Sequence, residues 1–349
     1  MTVSEREERI LGIIETARAK RPRFKDERIT MAHGAGGKAT QTLIEGLLAP
    51  AFGMTELADA ATVGGDLALT TDSYVVKPLR FPGGSIGELA VNGTVNDLAM
   101  AGARPLALSL ALILEEGLEA EILRGEVDAI AAAATAAGVA IMTGDTKVVE
   151  RGHADGMYVC TTGVGRRDPR ATLSPAAVRP GDRILVSGAI GAHGTAIMLA
   201  RGDLGLEADI ESDTCSLWPA VDAILAGGVR CLRDATRGGV ASVLNEIARA
   251  SGVAMAIDEA TVPVDPAVAG AAELLGIDPM YVANEGVFVA FVAPESAALT
   301  ALRQVDGCER AAEIGEVKTE PPGMVLVNTA FGGRRVMDQL VGDPLPRIC

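Results

Sequence analysis

The chain has 349 residues, a formal net charge of −15, 48% hydrophobic and only 3% aromatic content, which predicts two domains with cores of Ala, Val, Leu and Ile. Its acidity argues against a nucleic-acid partner, which needs basic patches. No apolar run approaches the ~18–20 residues of a span, and the charged start MTVSEREERI lacks a signal-peptide apolar region, so neither a membrane segment nor a signal peptide is expected. Five cysteines at positions 160, 215, 231, 308 and 349 are spaced for neither a disulfide framework nor a zinc site, and predict a reducing, cytoplasmic setting.

Ser4-x-x-Glu7 is a capping box, and Ile10, Ile13, Ile14 and Ala17 share one helical face, so residues 1–28 read as a helical extension. Ile29 to Ala32 reads as a short strand, followed by His33-Gly34-Ala35-Gly36-Gly37-Lys38 and a helix through Leu48. This stretch fits G-x-G-x-x-A, and Asp59 lies where a dinucleotide fold would place an acid. No clear βαβ unit follows, however, and the glycine spacing before Lys38 is not that of a Walker A loop. A plain glycine turn fits equally.

Leu67 to Thr70 reads as a strand ending in the turn Thr71-Asp72-Ser73. Ser85 is placed to cap a helix through Met100. Inside that small-residue helix Asn96-Asp97 is the polar interruption, so Asp97 is paired, metal-bound or solvated. Leu106 to Leu114 is a continuous apolar strand, by pattern buried on both faces. A helix over Glu119–Ala137 and a strand from Val139 lead into Thr143-Gly144-Asp145-Thr146-Lys147, which sets a carboxylate beside a cation. Another strand, Met157 to Gly165, completes residues 29–165 as the first domain.

Residues 166–335 form the second. Strand 182–187 opens it, and the glycine turn after it leads into a helix ending at Arg201. Cys231 to Gly239 reads as a polar turn entering a helix from Val240, where backbone N–H groups can meet a phosphate. Strands at 253–257, 287–292, 312–317 and 324–327 follow, with Ala283-Asn284-Glu285-Gly286 before the second of these. Residues 336–349 are a tail. Pro344 and Pro346 stiffen it, Cys349 ends it, and its reach is on the order of 45 Å. A terminal thiol on such an arm can visit a partner and swing back; an incidental chain end is the alternative. Asp59, Asp72, Asp97, Asp145 and Asp234, with Lys147 and Glu285, suggest a nucleotide site using divalent metal, although each Asp alone also fits a cap or turn.

Eight motifs in one order carry a resemblance over residues 29–349. They are His33-Gly-Ala-Gly-Gly-Lys38, Thr71-Asp-Ser-Tyr-Val-Val76, Phe81-Pro-Gly-Gly84, Asn92-Gly-Thr-Val-Asn-Asp-Leu-Ala-Met100, Gly144-Asp-Thr-Lys-Val-Val149, Arg233-Asp-Ala-Thr-Arg-Gly-Gly239, Ala283-Asn-Glu-Gly286 and Pro346-Arg-Ile-Cys349. The chain resembles the HypE family of hydrogenase-maturation proteins, in the superfamily of aminoimidazole ribonucleotide synthetase. A family Asp-Asp-Ala-Ala element appears here as Ala58-Asp59-Ala60-Ala61, one acid short.

The resemblance implies a PurM-like two-domain α/β fold whose first domains pair into a dimeric barrel. It implies ATP-dependent dehydration of a carbamoyl group on Cys349 to a thiocyanate, the source of a hydrogenase cyanide ligand. Implied catalytic residues are Cys349, Lys147 and Glu285, the last as base. Implied nucleotide contacts are Gly34, Gly36, Gly37, Lys38, Asp72, Asn96, Gly144, Asp145 and Thr146, with Asp59, Asp97 and Asp234 on Mg2+. Implied partners are a HypF-type carbamoyltransferase, a HypC–HypD type complex and a second copy of the chain. A small-molecule ATP enzyme of the same superfamily with a passive tail, and a non-enzymatic thiol carrier, are the competing readings.

Overall fold

The computed structural model describes residues 23–54, 57–202, 205, 208–340 and 347–349. The capping box at Ser4 and most of the N-terminal extension lie outside the described residues.

The first sheet uses β1 (Ala61–Val63), β2 (Leu67–Tyr74), β3 (Ala103–Glu115), β4 (Ala140–Val149) and β5 (Met157–Arg167), in spatial order β1-β2-β5-β3-β4. All neighbours are antiparallel except β3 and β4, which are parallel. Helix α3 (Ala120–Ala137) makes the crossover between these two, as parallel pairing requires.

One face of this sheet is covered by α2 (Ile86–Met100), in which only Glu88 and Asp97 escape burial. A helix that is apolar and small on every side has no solvent face, and α2 is wedged between the first sheet, α3 and the second domain. Ser85 holds the N-cap position, but its hydroxyl makes no capping bond. Glu126 of α3 does that work: its Oε2 accepts from the Gly87 N–H at 3.0 Å, and its Oε1 pairs with Arg80 at 2.8 Å. Gly87 allows this approach, since a Cβ there would lie 2.6 Å from the Glu126 carbonyl oxygen.

The second sheet has seven strands: β6 (Arg183–Val186), β7 (Val229–Asp234), β8 (Ala254–Asp258), β9 (Phe288–Val292), β10 (Ala312–Lys318), β11 (Val325–Asn328) and β12 (Arg334–Met337). Their order is β12-β11-β8-β10-β6-β9-β7, with β8 and β11 the parallel pair. Helix α6 (Gly239–Ser251) packs into the main core on one face, and α5 (Trp218–Ile224) into a second core with Ala99 and Met100 of α2. Helix α4 (Ala192–Ala200) lies beside the first domain's Phe81 hairpin. No described helix is long and apolar enough to cross a membrane.

Several local expectations are corrected. Residues 31–34 form a 3-10 turn instead of a strand, because the His33 ring folds back to accept from the Thr30 N–H at 3.0 Å. The helix beginning at Lys38, α1 (Lys38–Leu43), continues through a π turn and a final α turn to Phe52. Cys231 to Asp234 belongs to strand β7, which pairs with β9 on the sheet edge. Val336 and Met337, read as the start of the tail, are in β12. The apolar run of β3 is not buried on both faces: Leu106 is 42% and Ile113 36% exposed. One face lies on α2 and the other is bare in the single chain. Edge strand β4 is exposed almost throughout.

Candidate functional site

Asp59 precedes β1, Asp97 lies in α2 and Asp234 ends β7. One carboxylate oxygen from each lies within 4.8 Å of the other two. Burial raises Asp97 and Asp234 well above the ordinary carboxylate range, and repulsion among the cluster raises them further. Asp59 is raised by burial and pulled back by Arg233, with which it pairs. The Thr70 hydroxyl bridges the group, 2.7 Å from Asp97 Oδ2 and from the Asp59 carbonyl oxygen. Three converging acids against one guanidinium leave a deficit of positive charge. Hard oxygen donors in this arrangement fit a divalent cation such as Mg2+.

Asp72, at the end of β2, contributes to the raised values of Asp97, Asp234 and Glu285, so it belongs to the same field. Glu285 is buried, and its carboxyl is held well above its ordinary range by burial first, then by Asp234, Asp72 and Asp213, with Arg237 opposing. Its backbone is fixed from two sides. The N–H donates to Asp213 Oδ1 at 3.0 Å, and the carbonyl accepts from Asn96 Nδ2 at 3.1 Å. Gly286 is obligatory here, since a Cβ would fall 1.8 Å from the Asp213 carbonyl oxygen. Asn284 ties the same loop to its neighbours through Gly191 N–H and the Ala235 carbonyl.

The glycine-rich segment reaches this centre through Arg237, whose guanidinium donates to the Gly34 carbonyl at 2.6 Å. Gly36 has φ +75° and leaves no room for a Cβ, which would sit 2.8 Å from the Arg237 side chain. The negative charge of Cys349, and then of Asp72 and Glu285, raises Arg237 above its ordinary value. The chain end is therefore beside the acids. Ile348 and Cys349 are buried in an apolar cluster with Tyr74, Phe81, Val282 and Ala283.

Other sequence candidates make their own contacts outside the acid cluster. Gly37 is the N-cap of α1, and Lys38 pairs with Asp338 at 2.7 Å. Asn96 is turned between the domains: its Nδ2 donates to the Cys215 and Glu285 carbonyls, and its Oδ1 accepts from Leu217 N–H. Gly144, Asp145 and Thr146 line an open cleft of about 500 Å³ on β4. Lys147 there pairs with Asp145 at 2.5 Å, its side chain 68% exposed. Two strands separate β4 from β2, about 14 Å at ordinary strand spacing. Lys147 therefore lies on the far edge of the sheet from Asp72 within one chain.

Asp213, His193 and Asp155 were not singled out by sequence. Asp213 lies in a strap of irregular chain, where no periodicity marks it, and burial pushes its carboxyl up to about 6.

Residues 57–167 match the N-terminal domain, and residues 179–327 the C-terminal domain, of the AIR synthase related proteins. The chain is 51% identical to the carbamoyl dehydratase HypE of Rhodobacter capsulatus, over 93% of this chain and 99% of that protein. It is 44% identical to the Escherichia coli K12 protein of the same name, over 92% and 99%. Among solved structures, a HypE in complex with ATP superposes with a TM-score of 0.79 at 44% identity, covering 92% of this chain and all of that one. A HypE–HypF complex gives 0.82 at 44% identity, covering 85% and 99%. A thiamine monophosphate kinase complexed with AMPPCP and TMP, 19% identical with a TM-score of 0.67 over 89% and 99%, shares the fold. With such identity along nearly its whole length, and an acid cluster built across both of its AIR synthase related domains, the chain belongs to the HypE family of carbamoyl dehydratases.

Proposed function

We propose that this protein uses ATP to dehydrate a carbamoyl group carried on Cys349. The observation that carries the reading is the burial of Ile348 and Cys349 against Val282 and Ala283, with the charge of Cys349 acting on Arg237, which also feels Asp72 and Glu285. A terminal thiol in that position is where a group borne on sulfur would react.

Water is a poor leaving group from an amide carbon, and phosphate is a good one. The thiocarboxamide oxygen attacks the γ-phosphorus of ATP and displaces ADP. Glu285 takes a proton from the amide nitrogen, raising the oxygen's nucleophilicity. The C–O bond then breaks, the departing phosphate takes the second N–H proton, and the S–C≡N group is left. The balance is one thiocarboxamide and one ATP giving one thiocyanate, ADP and phosphate. The raised affinity of Glu285 for protons suits it to this transfer, and the Arg237 cation beside Cys349 and Asp72 suits it to the phosphate charge that develops. Asp59, Asp97 and Asp234 would hold Mg2+, which when bound neutralises phosphate oxygens. Asp72, Gly34, Gly36, Gly37 and Lys38 surround the nucleotide in this reading.

Gly144, Asp145, Thr146 and Lys147 serve a site shared between two copies. The bare face of β3 and the unpaired outer edge of β4 are what a pairing of two first domains would cover. Lys147 would then stabilise charge or carry protons from across the dimer. A HypF-type carbamoyltransferase loads Cys349 and a HypC–HypD type complex receives the cyano group for a [NiFe]-hydrogenase, in the cytoplasm. The test is the mass of the C-terminal peptide after incubation with the carbamoyltransferase, carbamoyl phosphate and ATP. It should gain a carbamoyl group and then lose one water. A carbamoylated peptide that never loses water in the presence of ATP overturns the reading.

A further inference from the structure

The described end of the tail is held by groups outside the acid and base chemistry above. His193, at the second position of α4, is completely buried, and burial holds its imidazole neutral, down to about 4. Its Nε2 lies 2.7 Å from the Ile348 carbonyl oxygen and its Nδ1 lies 2.8 Å from Ser212 Oγ. A carbonyl only accepts, so Nε2 carries the hydrogen and donates to the tail. Nδ1 then accepts from the Ser212 hydroxyl, whose oxygen in turn accepts from the Thr214 N–H at 3.2 Å. The Phe81 ring meets the imidazole edge-on at 5.6 Å and fixes its plane.

The flanking contacts follow the tail backbone. Val75 N–H donates to a terminal carboxylate oxygen of Cys349 at 3.2 Å and Lys77 N–H to the Arg347 carbonyl at 3.4 Å, so the tail lies alongside the chain leaving β2. Arg201 clasps both segments, donating to the Lys77 carbonyl at 3.0 Å and the Arg347 carbonyl at 2.6 Å. The Arg347 guanidinium pairs with Asp155, which also accepts from Lys77 Nζ at 3.1 Å and the Tyr158 hydroxyl at 3.2 Å. Arg347 has φ +60°, the one positive φ outside glycine among the described residues. Such a conformation persists only where the surroundings hold it.

We propose that His193 and Asp155 are positioning residues of a receiving site for the chain's own Arg-Ile-Cys terminus, and that they set the fraction of time Cys349 is seated in the cleft. The proposal concerns the working position of Cys349 and so rests on the dehydration reading above. Main-chain carbonyls and the Arg347 side chain supply the grip, so the sulfur's cargo is not what the site reads. Arg347 is the residue of the tail that gives the site its specificity.

Thiol alkylation of the full-length protein, mapped peptide by peptide with iodoacetamide, tests this without carbamoyl phosphate or ATP. Asp155→Asn and His193→Phe should each speed alkylation of Cys349 by about tenfold, the effect of one charge-assisted or buried hydrogen bond. His193→Gln keeps an amide N–H towards Ile348 and should stay within about twofold of the parent. Asp155→Asn should add much less in an Arg347→Gln background than in the parent, since the Arg347 pair is the contact Asp155 makes to the tail. Cys231 and Cys308 are buried and report the body of the fold. Parent-like alkylation of Cys349 in both Asp155→Asn and His193→Phe would overturn the proposal. So would alkylation of Cys231 and Cys308 rising in step with Cys349, which would make the two residues structural. If the alkylation pattern holds while no dehydration is ever found, the receiving site stands and the dehydration reading falls.

Discussion

Asp213 accepts the backbone N–H of Glu285 at 3.0 Å, and its second carboxylate oxygen is buried with no hydrogen-bond partner. One acid therefore both anchors the loop of the candidate base and raises that base's proton affinity by its charge. Asp213→Asn keeps an acceptor and removes the charge. The acid limb of the dehydration pH–rate profile should move to lower pH, because Glu285 loses a repulsive neighbour, and the plateau rate should fall with the weaker base. An unmoved acid limb in single-turnover measurements would remove Asp213 from any electrostatic role.

Glu285→Gln should accept the carbamoyl group on Cys349 and bind ATP, then stall. General-base removal costs about 10²–10⁴-fold in rate. The tail peptide would stay at its carbamoylated mass, and dehydration at the parent rate would move the base elsewhere.

The three acids at the domain junction predict a metal-linked stability. Asp97→Asn removes one of three repelling carboxylates, so its thermal midpoint in chelator should match or exceed the parent's. Added Mg2+ should raise the parent's midpoint and leave the variant's nearly unmoved, because only the intact cage binds the ion. ATP turnover should be lost and Cys349 carbamoylation retained. An equal Mg2+ shift in both proteins would count against the cage.

Edge strand β4 offers Met142 and Val148 to solvent, 72% and 67% exposed. Light scattering should show a dimer for the parent and a monomer for Met142→Glu combined with Val148→Glu. ATP turnover should fall in the variant because Lys147 and Asp145 would no longer be brought to a second copy's site. A parent that is monomeric at every concentration would end the shared-site reading.

His193 supplies a pH dependence with a definite sign. Its folded value lies near 4, against about 6.5 in the unfolded chain. Between those values the unfolded state binds the extra proton, so stability rises with pH. The parent should gain on His193→Gln by up to about 1.4 kcal/mol per pH unit from pH ~4 to ~6.5. Urea titrations across that window measure it. A difference independent of pH would mean that His193 is charged or exposed when folded.

Much of the fold was legible because side-chain periodicity is a local property. The all-round apolar α2, the crossover of β3, α3 and β4, and most strands of the second sheet follow from it. Local pattern failed where a neighbour overrode it: at His33, whose ring closes a 3-10 turn, and at β7 and β12, short edge strands defined by pairing alone. The candidate acids Asp59, Asp97, Asp234 and Glu285 were also legible as candidates, Asp97 as a polar interruption of a small-residue helix and the others as carboxylates in polar turns and loops.

By itself the sequence determined the elements, the unusual acids and the terminal thiol. Only the tertiary structure decided which of them meet. Asp59 and Arg233 pair across 174 residues, and strand order set by crossovers brings them together while sending Lys147 to the opposite edge. Asp213, His193 and Asp155 carry no local signal, since a carboxylate or imidazole gains its role from the backbone it faces. That backbone arrives only when the two sheets close on α2 and the Arg-Ile-Cys terminus lies down beside Val75 and Lys77.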